Sequence, residues 1–202
     1  NYTISALVAS LCGVPLHTQY EGIGKTEHFL PNLVCIPQIL RQNGYNTLLM
    51  KGASLKFSAT DVFARQHGFE QMAGKEEIMA LPAYNLPGNS WGISDRGSFL
   101  YARDAISKLQ REGMPFLLAM VTLDMHSPDI FLDPQCAAVF GDDKDTVKCI
   151  DGLTGQFVTW LQQQDFYADT TVIIIGDHLQ PGRNALYPRE VNQRSVLNIF
   201  IN

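Results

Sequence analysis

What this sequence lacks narrows its identity quickly. It has no run of lysine and arginine, and its 15 Lys+Arg stand against 20 Asp+Glu for a formal net charge of -5. That balance speaks against a nucleic-acid partner. No apolar stretch approaches the ~18–20 residues of a membrane-spanning helix. Cysteine is scarce at four, and none of the four stands in a C-x-x-C or similar zinc-binding spacing. Internal repeats, low-complexity tracts and charged linkers are missing. The opening, "NYTISALVAS", has no basic n-region and reads as the interior of something longer, so a targeting or membrane segment is expected upstream.

What is present describes an ordinary folded domain. The 202 residues are 46% hydrophobic and 17% charged, enough for one domain with a core. Four cysteines allow three pairings. Two local bridges, Cys12 with Cys35 and Cys136 with Cys149, are the simplest, with free buried thiols as the alternative. In the chain-entropy view each bridge stabilises by roughly 3 kcal/mol, and bridges imply an oxidising compartment.

Helical and strand patterns alternate. "TISALVASLCG" has helical spacing and stops at Gly13 with Pro15 beyond. "PNLVCIPQILRQNGY" reads as a helix from its first proline to Asn43-Gly44, with Pro37 breaking its first turn. "SATDVFARQHGF", "DRGSFLYARDAISKLQREG" and "DTVKCIDGLTGQFVTWLQQQ" are further helices. "NTLLM", "PFLLAMVTLDMH", "TTVIIIGDH" and "SVLNIFIN" are strands. Strands separated by helices predict an α/β fold, a mostly parallel sheet flanked by helices. The run 172–175 is apolar enough to read as a central strand, buried on both faces.

Two strand ends carry the chemistry. One reads "TLDMHSP" and the other "GDHL", each placing Asp and His where the chain leaves the sheet. In a parallel sheet those ends lie on one side, where α/β folds place ligands, so Asp124, His126, Asp177 and His178 are expected to converge. A pair of polar turns is the plainer alternative.

With these residues in view, the ordered set "NYTISALVASLCGVPL", "GYNTLLMKGASLKFSATDVFARQHGFEQM", "WGISD", "TLDMHSP" and "IIIGDHL" resembles the sulfatase-type branch of the alkaline phosphatase superfamily. The match is closer to the phosphoglycerol transferases of osmoregulated periplasmic glucans than to lipoteichoic acid synthases or phosphoethanolamine transferases. The resemblance covers nearly the whole chain. It implies a truncated, alkaline phosphatase/sulfatase-like fold, with residues 1–202 forming a partial catalytic domain. It also implies a strand carrying a glutamate ligand ahead of the nucleophile, whereas here only two residues precede Thr3.

The resemblance implies that Thr3 is the nucleophile and that Thr3, Asp177 and His178 hold a divalent metal. Mn²⁺ is favoured, with Zn²⁺ and Mg²⁺ as alternatives. It implies that His126 faces the substrate phosphate or the leaving group. Lys51 stands where lipoteichoic acid synthases have a histidine; it suits phosphate contact, but not as an acid titrating near neutral pH. Lys51, Trp91 and Asp124 are the expected substrate-facing side chains. Plainer readings exist for each: a helix N-cap for Thr3, packing for Trp91 and Phe57, a helix cap for Asp95, and orientation of His126 or a turn cap for Asp124. Arg183 and Arg194 are candidates to meet an anionic phosphate. His17, His28 and His67 show no ligand spacing, and Asp142–Asp145 reads as a solvated loop.

The activity so implied is transfer of phosphoglycerol from phosphatidylglycerol to periplasmic glucan hydroxyls through a phospho-threonine intermediate, at the periplasmic face of the inner membrane. Full-length protein is then expected to be membrane-anchored. A phosphoethanolamine transferase and a catalytically inactive binding module are the alternatives. A sulfate-ester hydrolase is not, because Cys12 is followed by "GVPLH" without the arginine of a C-x-P-x-R motif.

Overall fold

The computed structural model describes residues 2–16, 26–179 and 195–202. Helix α1 (Thr3–Cys12) ends as its sequence requires, with Gly13 at φ 71° and its N–H returned to the Ala9 carbonyl. Helix α2 (Ile36–Gln42) starts later than the sequence pattern predicted. Pro37 opens this helix rather than breaking it, because its missing N–H falls in the first turn, where no intrahelical acceptor is needed. Strand β1 (Asn46–Lys51) follows, then a 3₁₀ turn (Phe57–Ala59) and helix α3 (Thr60–Gln66). Next come β2 (Gln71–Ala73), a short strand the sequence reading missed, and α4 (Lys75–Met79). Helix α5 (Asp95–Arg111), strand β3 (Phe116–Val121) and helix α6 (Asp143–Gln162) form the centre of the chain. Strands β4 (Val172–Ile175) and β5 (Asn198–Ile201) close it.

Strand order in the main sheet is β2-β1-β3, and both pairings are parallel. Strands β4 and β5 pair antiparallel with each other in a separate two-stranded sheet. This corrects the expectation of a central, doubly buried strand at 172–175: Ile173 is 51% exposed and Ile175 41%. An apolar run fixes neither the partner of a strand nor its orientation.

The largest core cluster packs α1 (Ile4, Val8) against β1 (Leu49) and α3 (Phe63, Ala64). Gly68, at φ 96°, crosses so close to α2 that a Cβ would lie 2.4 Å from the Gln38 backbone. Both local disulfides are formed, Cys12–Cys35 joining α1 to the start of α2 and Cys136–Cys149 joining a loop to α6. The 142–145 segment is no solvated loop. Asp142 caps α6, and the buried Asp145 accepts N–H bonds from Val139, Phe140 and Gly141. Among the described residues no helix is long and apolar enough to cross a membrane.

Phe63 is the anchor of this core. It is fully buried, edge-on to Phe29 at 5.4 Å between ring centroids and 4.9 Å from His67. Phe63→Ala is expected to cost about 3–5 kcal/mol, a large share of the ~5–15 kcal/mol that holds a domain folded. Urea denaturation measures it, and a loss below about 1 kcal/mol would mean that the cavity collapses without cost.

Candidate active site

The site begins at the first residue of α1. Tyr2 is the N-cap and Thr3 the first helical residue, which corrects the simple cap reading. The Thr3 hydroxyl instead donates to Asp177 Oδ2 at 2.7 Å, across 174 residues of sequence. Asp177 lies just past β4, and its Oδ1 accepts the His178 N–H at 2.9 Å.

His178 has a defined tautomer. Its Nδ1 lies 2.9 Å from the Leu179 carbonyl, and a carbonyl only accepts, so Nδ1 carries the hydrogen. In the neutral ring the lone pair then sits on Nε2, 3.4 Å from Asp177 Oδ2. A lone pair and a carboxylate oxygen at that distance want a cation between or beside them. Backbone anchoring of one imidazole nitrogen is the usual support for a metal-ligating histidine. Among the described residues no group of three or more His, Cys, Asp or Glu side chains is arranged to hold a metal. The other oxygen beside this pair is the Thr3 hydroxyl, 2.7 Å from Asp177 Oδ2. Carboxylate, imidazole and hydroxyl together suit Mn²⁺ or Zn²⁺ better than Mg²⁺, so the donor set fits a divalent ion.

His126, from the loop after β3, joins this group although β3 and β4 belong to different sheets. Burial lowers its pKa; the Asp177 charge opposes that, and His178 and Lys51 add to it. Among the described residues its Nδ1 is buried with no hydrogen-bond partner. One face of the ring packs on Trp91 at 4.4 Å, and Trp91 meets Phe57 edge-on at 5.4 Å. Trp91 is thus both packing and wall. Its loop is pressed onto the end of β1: the Ile93 N–H donates to the Gly52 carbonyl, and a Cβ on Gly92 would lie 2.0 Å from that oxygen.

Lys51 ends β1 and is 4% exposed. Its ammonium donates to Thr60 Oγ1 at 3.0 Å and to the Phe57 carbonyl at 3.3 Å, and lies over the Phe57 ring. Burial pulls its pKa down to about 8. That is closer to neutrality than a solvated lysine, because an ammonium loses its hydration on burial. The Thr60 contact was invisible in the sequence.

Asp124 sits elsewhere than expected. It is 1% exposed, so its carboxylate does not face substrate; Oδ2 accepts the Asp95 N–H at 3.1 Å. Asp95 is not the helix cap. Ser94 is, accepting from the Gly97 N–H. The sequence-derived candidates Arg183 and Arg194, and His17, lie outside the described residues. His67 is buried, with both ring nitrogens on backbone carbonyls, and holds the 29–33 segment.

Comparison with known proteins gives the family and the fold. A family model described as Sulfatase matches residues 1–195. Phosphoglycerol transferase I from Escherichia coli O127:H6 and phosphoglycerol transferase I from Salmonella typhi are each 31% identical to the chain over 209 residues. Each alignment covers 99% of this chain and 27% of the relative, so the chain spans about a quarter of the length of the curated relatives it matches. Among solved structures, a protein in the alkaline phosphatase superfamily from Vibrio parahaemolyticus is similar with a TM-score of 0.77 at 22% identity, over 99% of this chain and 48% of that one. The lipoteichoic acid synthase LtaP from Listeria monocytogenes is similar with a TM-score of 0.75 at 18% identity, over 92% and 46%. The fold is that of the alkaline phosphatase superfamily.

Proposed function

The chain belongs to the sulfatase family, and from that premise we propose that it is part of the catalytic domain of a metal-dependent phosphoglycerol transferase. The donor is phosphatidylglycerol and the acceptor a hydroxyl of a periplasmic glucan. The observation that carries this reading is the Thr3 hydroxyl at a helix start, 2.7 Å from Asp177 Oδ2.

Thr3 is the nucleophile. A hydroxyl attacks poorly unless a partner removes its proton, and Asp177 already accepts that hydrogen. Thr3, Asp177 and His178 would hold the divalent ion, which stabilises the alkoxide and polarises the phosphoryl oxygens when bound. The N-terminus of α1 favours the phosphate's negative charge. Attack by Thr3 Oγ1 forms a new P–O bond, and the bond from phosphorus to the diacylglycerol oxygen breaks. The leaving oxygen takes up the equivalent of the proton that Thr3 released, and a glycerophosphoryl-threonine remains. A glucan hydroxyl then attacks the phosphorus, the P–O bond to Thr3 breaks, and Thr3 recovers its proton. His126 serves the leaving oxygen. Burial lowers its pKa, which favours the neutral imidazole, a form that still carries an N–H to donate. Two disulfides suit the periplasm, with the longer protein anchored in the inner membrane.

Intact-protein mass of a complete catalytic domain, incubated with phosphatidylglycerol and Mn²⁺, tests the reading. The expected result is one glycerophosphoryl group on Thr3. A phosphoethanolamine adduct, formed only from phosphatidylethanolamine, would replace the donor. No adduct from either lipid, with Mn²⁺ bound, would overturn transfer and leave a binding module.

A further inference from the structure

Behind the site two carboxyl groups hold each other's backbone. Asp95 Oδ1 accepts the Leu123 N–H at 2.5 Å and the Asp124 N–H at 3.2 Å. Asp124 Oδ2 accepts the Asp95 N–H at 3.1 Å. The two residues are 29 apart in sequence, one at the first turn of α5 and the other in the loop after β3. Both are buried, Asp95 completely and Asp124 to 1% exposure. The same loop turns through a His126 N–H bond to the Leu123 carbonyl at 2.8 Å, and the Phe131 N–H returns to the Asp124 carbonyl at 2.9 Å. The start of α5 in turn continues the Trp91 loop, whose indole packs on His126.

We propose that Asp95 and Asp124 are a reciprocal carboxyl clamp that positions His126, locking the loop 123–126 to the start of α5. They are positioning residues: neither touches substrate, and both act through the ring they place. The link to catalysis rests on the role given to His126 above.

Burial favours a proton on the clamp. Among the described residues Asp95 Oδ2 and Asp124 Oδ1 are buried with no partner, as is Ser98 Oγ, one turn after Asp95. Two adjoining carboxylates do not both ionise at low dielectric, and a proton turns one of their oxygens into a donor. Burial pushes both pKa values up, Asp95 to about 6 and Asp124 to about 8, the latter helped by the Asp95 charge. Asp133 adds to the rise at Asp124 and Arg96 opposes it; those two are paired at 2.8 Å. A carboxyl whose folded pKa is raised stabilises the fold most below the unfolded value, about 4. That contribution is lost as pH rises through the folded values. The clamp therefore makes the protein lose stability from pH 5 to pH 8.

The test compares D95N and D124N, which keep an acceptor oxygen but no ionisable group, with D124A, which removes the acceptor. The amide protons of Asp95, Leu123 and Asp124, which donate into the clamp, are followed by NMR against pH alongside the His126 ring. Melting temperature is read at pH 5 and pH 8, and the rate of adduct formation on Thr3 is measured in the complete catalytic domain. In the parent the three amides titrate together; in each Asn variant that titration changes and the fall in melting temperature flattens. D124A moves the His126 ring resonances and slows adduct formation by about tenfold or more, with KM little changed, and D124N recovers most of that loss. Unmoved His126 resonances in D124A, or D124N as slow as D124A, would overturn the clamp. So would an unchanged stability slope in both Asn variants. Should D124A fail to fold, the amide titrations and the slope in the Asn variants decide alone. If the parent forms no adduct, the transferase reading fails, and the clamp is still judged by the amides and the His126 ring.

Discussion

Thr3→Ala is expected to lower transfer by about a thousandfold or more while leaving the fold in place. Thr3 is half-buried at the first turn of α1, so the methyl loses little packing, and Ile4 and Val8 hold the helix in the core. Among the described residues the side-chain bond lost is to an exposed partner, Asp177 Oδ2, typically ~0.5–1.5 kcal/mol. A melting temperature close to the parent's, with adduct and transfer both gone, is the expected pair of results. Thr3→Ser keeps the hydroxyl and is expected to retain measurable transfer. A Thr3→Ala variant that transfers at the parental rate would remove Thr3 from the chemistry and with it the double displacement.

The second large effect is at Asp177. Asn is nearly isosteric, so Asp177→Asn tests charge rather than shape. The Thr3 hydroxyl would face a neutral amide instead of a carboxylate. The His178 Nε2, 3.4 Å away, would lose the negative neighbour that the proposed ion needs beside it. Removing an outer-shell partner of a metal typically costs 10–100-fold in affinity, so losing a direct oxygen ligand is expected to cost at least about that much. Isothermal titration with Mn²⁺ measures it directly, and the transfer rate should fall in parallel. Added chelator should reproduce the loss in the parent, and excess Mn²⁺ should reverse it. Parental Mn²⁺ affinity in Asp177→Asn would take the ion away from this carboxylate, whatever became of transfer.

Much of the site was legible because its signals are local. The Asp-His pair at 177–178 and the histidine at 126 stand out as polar residues at the ends of apolar runs. Such residues rarely end a strand there without a turn or a ligand to explain them. The resemblance added Thr3, which by its local sequence is only a small polar residue at a helix start. Other parts were read wrongly for physical reasons. Asp124 looked like a substrate-facing partner of His126 because two residues after a strand share a loop; only packing reveals that its side chain turns inward to Asp95. Lys51 was assigned the behaviour of a solvated ammonium, and its titration changes because β1 buries it to 4% exposure. Asp95 was read as the helix cap, yet the preceding Ser94 performs that task and frees Asp95 for the clamp.

The division between what the amino-acid order alone determined and what the tertiary structure decided follows the range of the forces. Helix stops at Gly13 and Gly113, both in the left-handed region, are settled by backbone sterics within a few residues. So is the presence of strands at 46–51 and 116–121, where apolar side chains follow one another without a helical period. Strand partners are another matter. Nothing in "VIII" states whether its neighbour runs parallel or antiparallel, because hydrogen bonding between strands uses backbone groups that every residue has. Contacts across 174 residues between Thr3 and Asp177, and across 29 between Asp95 and Asp124, exist only once the elements have packed. So do the burial that lowers the Lys51 pKa and the burial that raises those of Asp95 and Asp124, because both depend on water being excluded by neighbours distant in the chain.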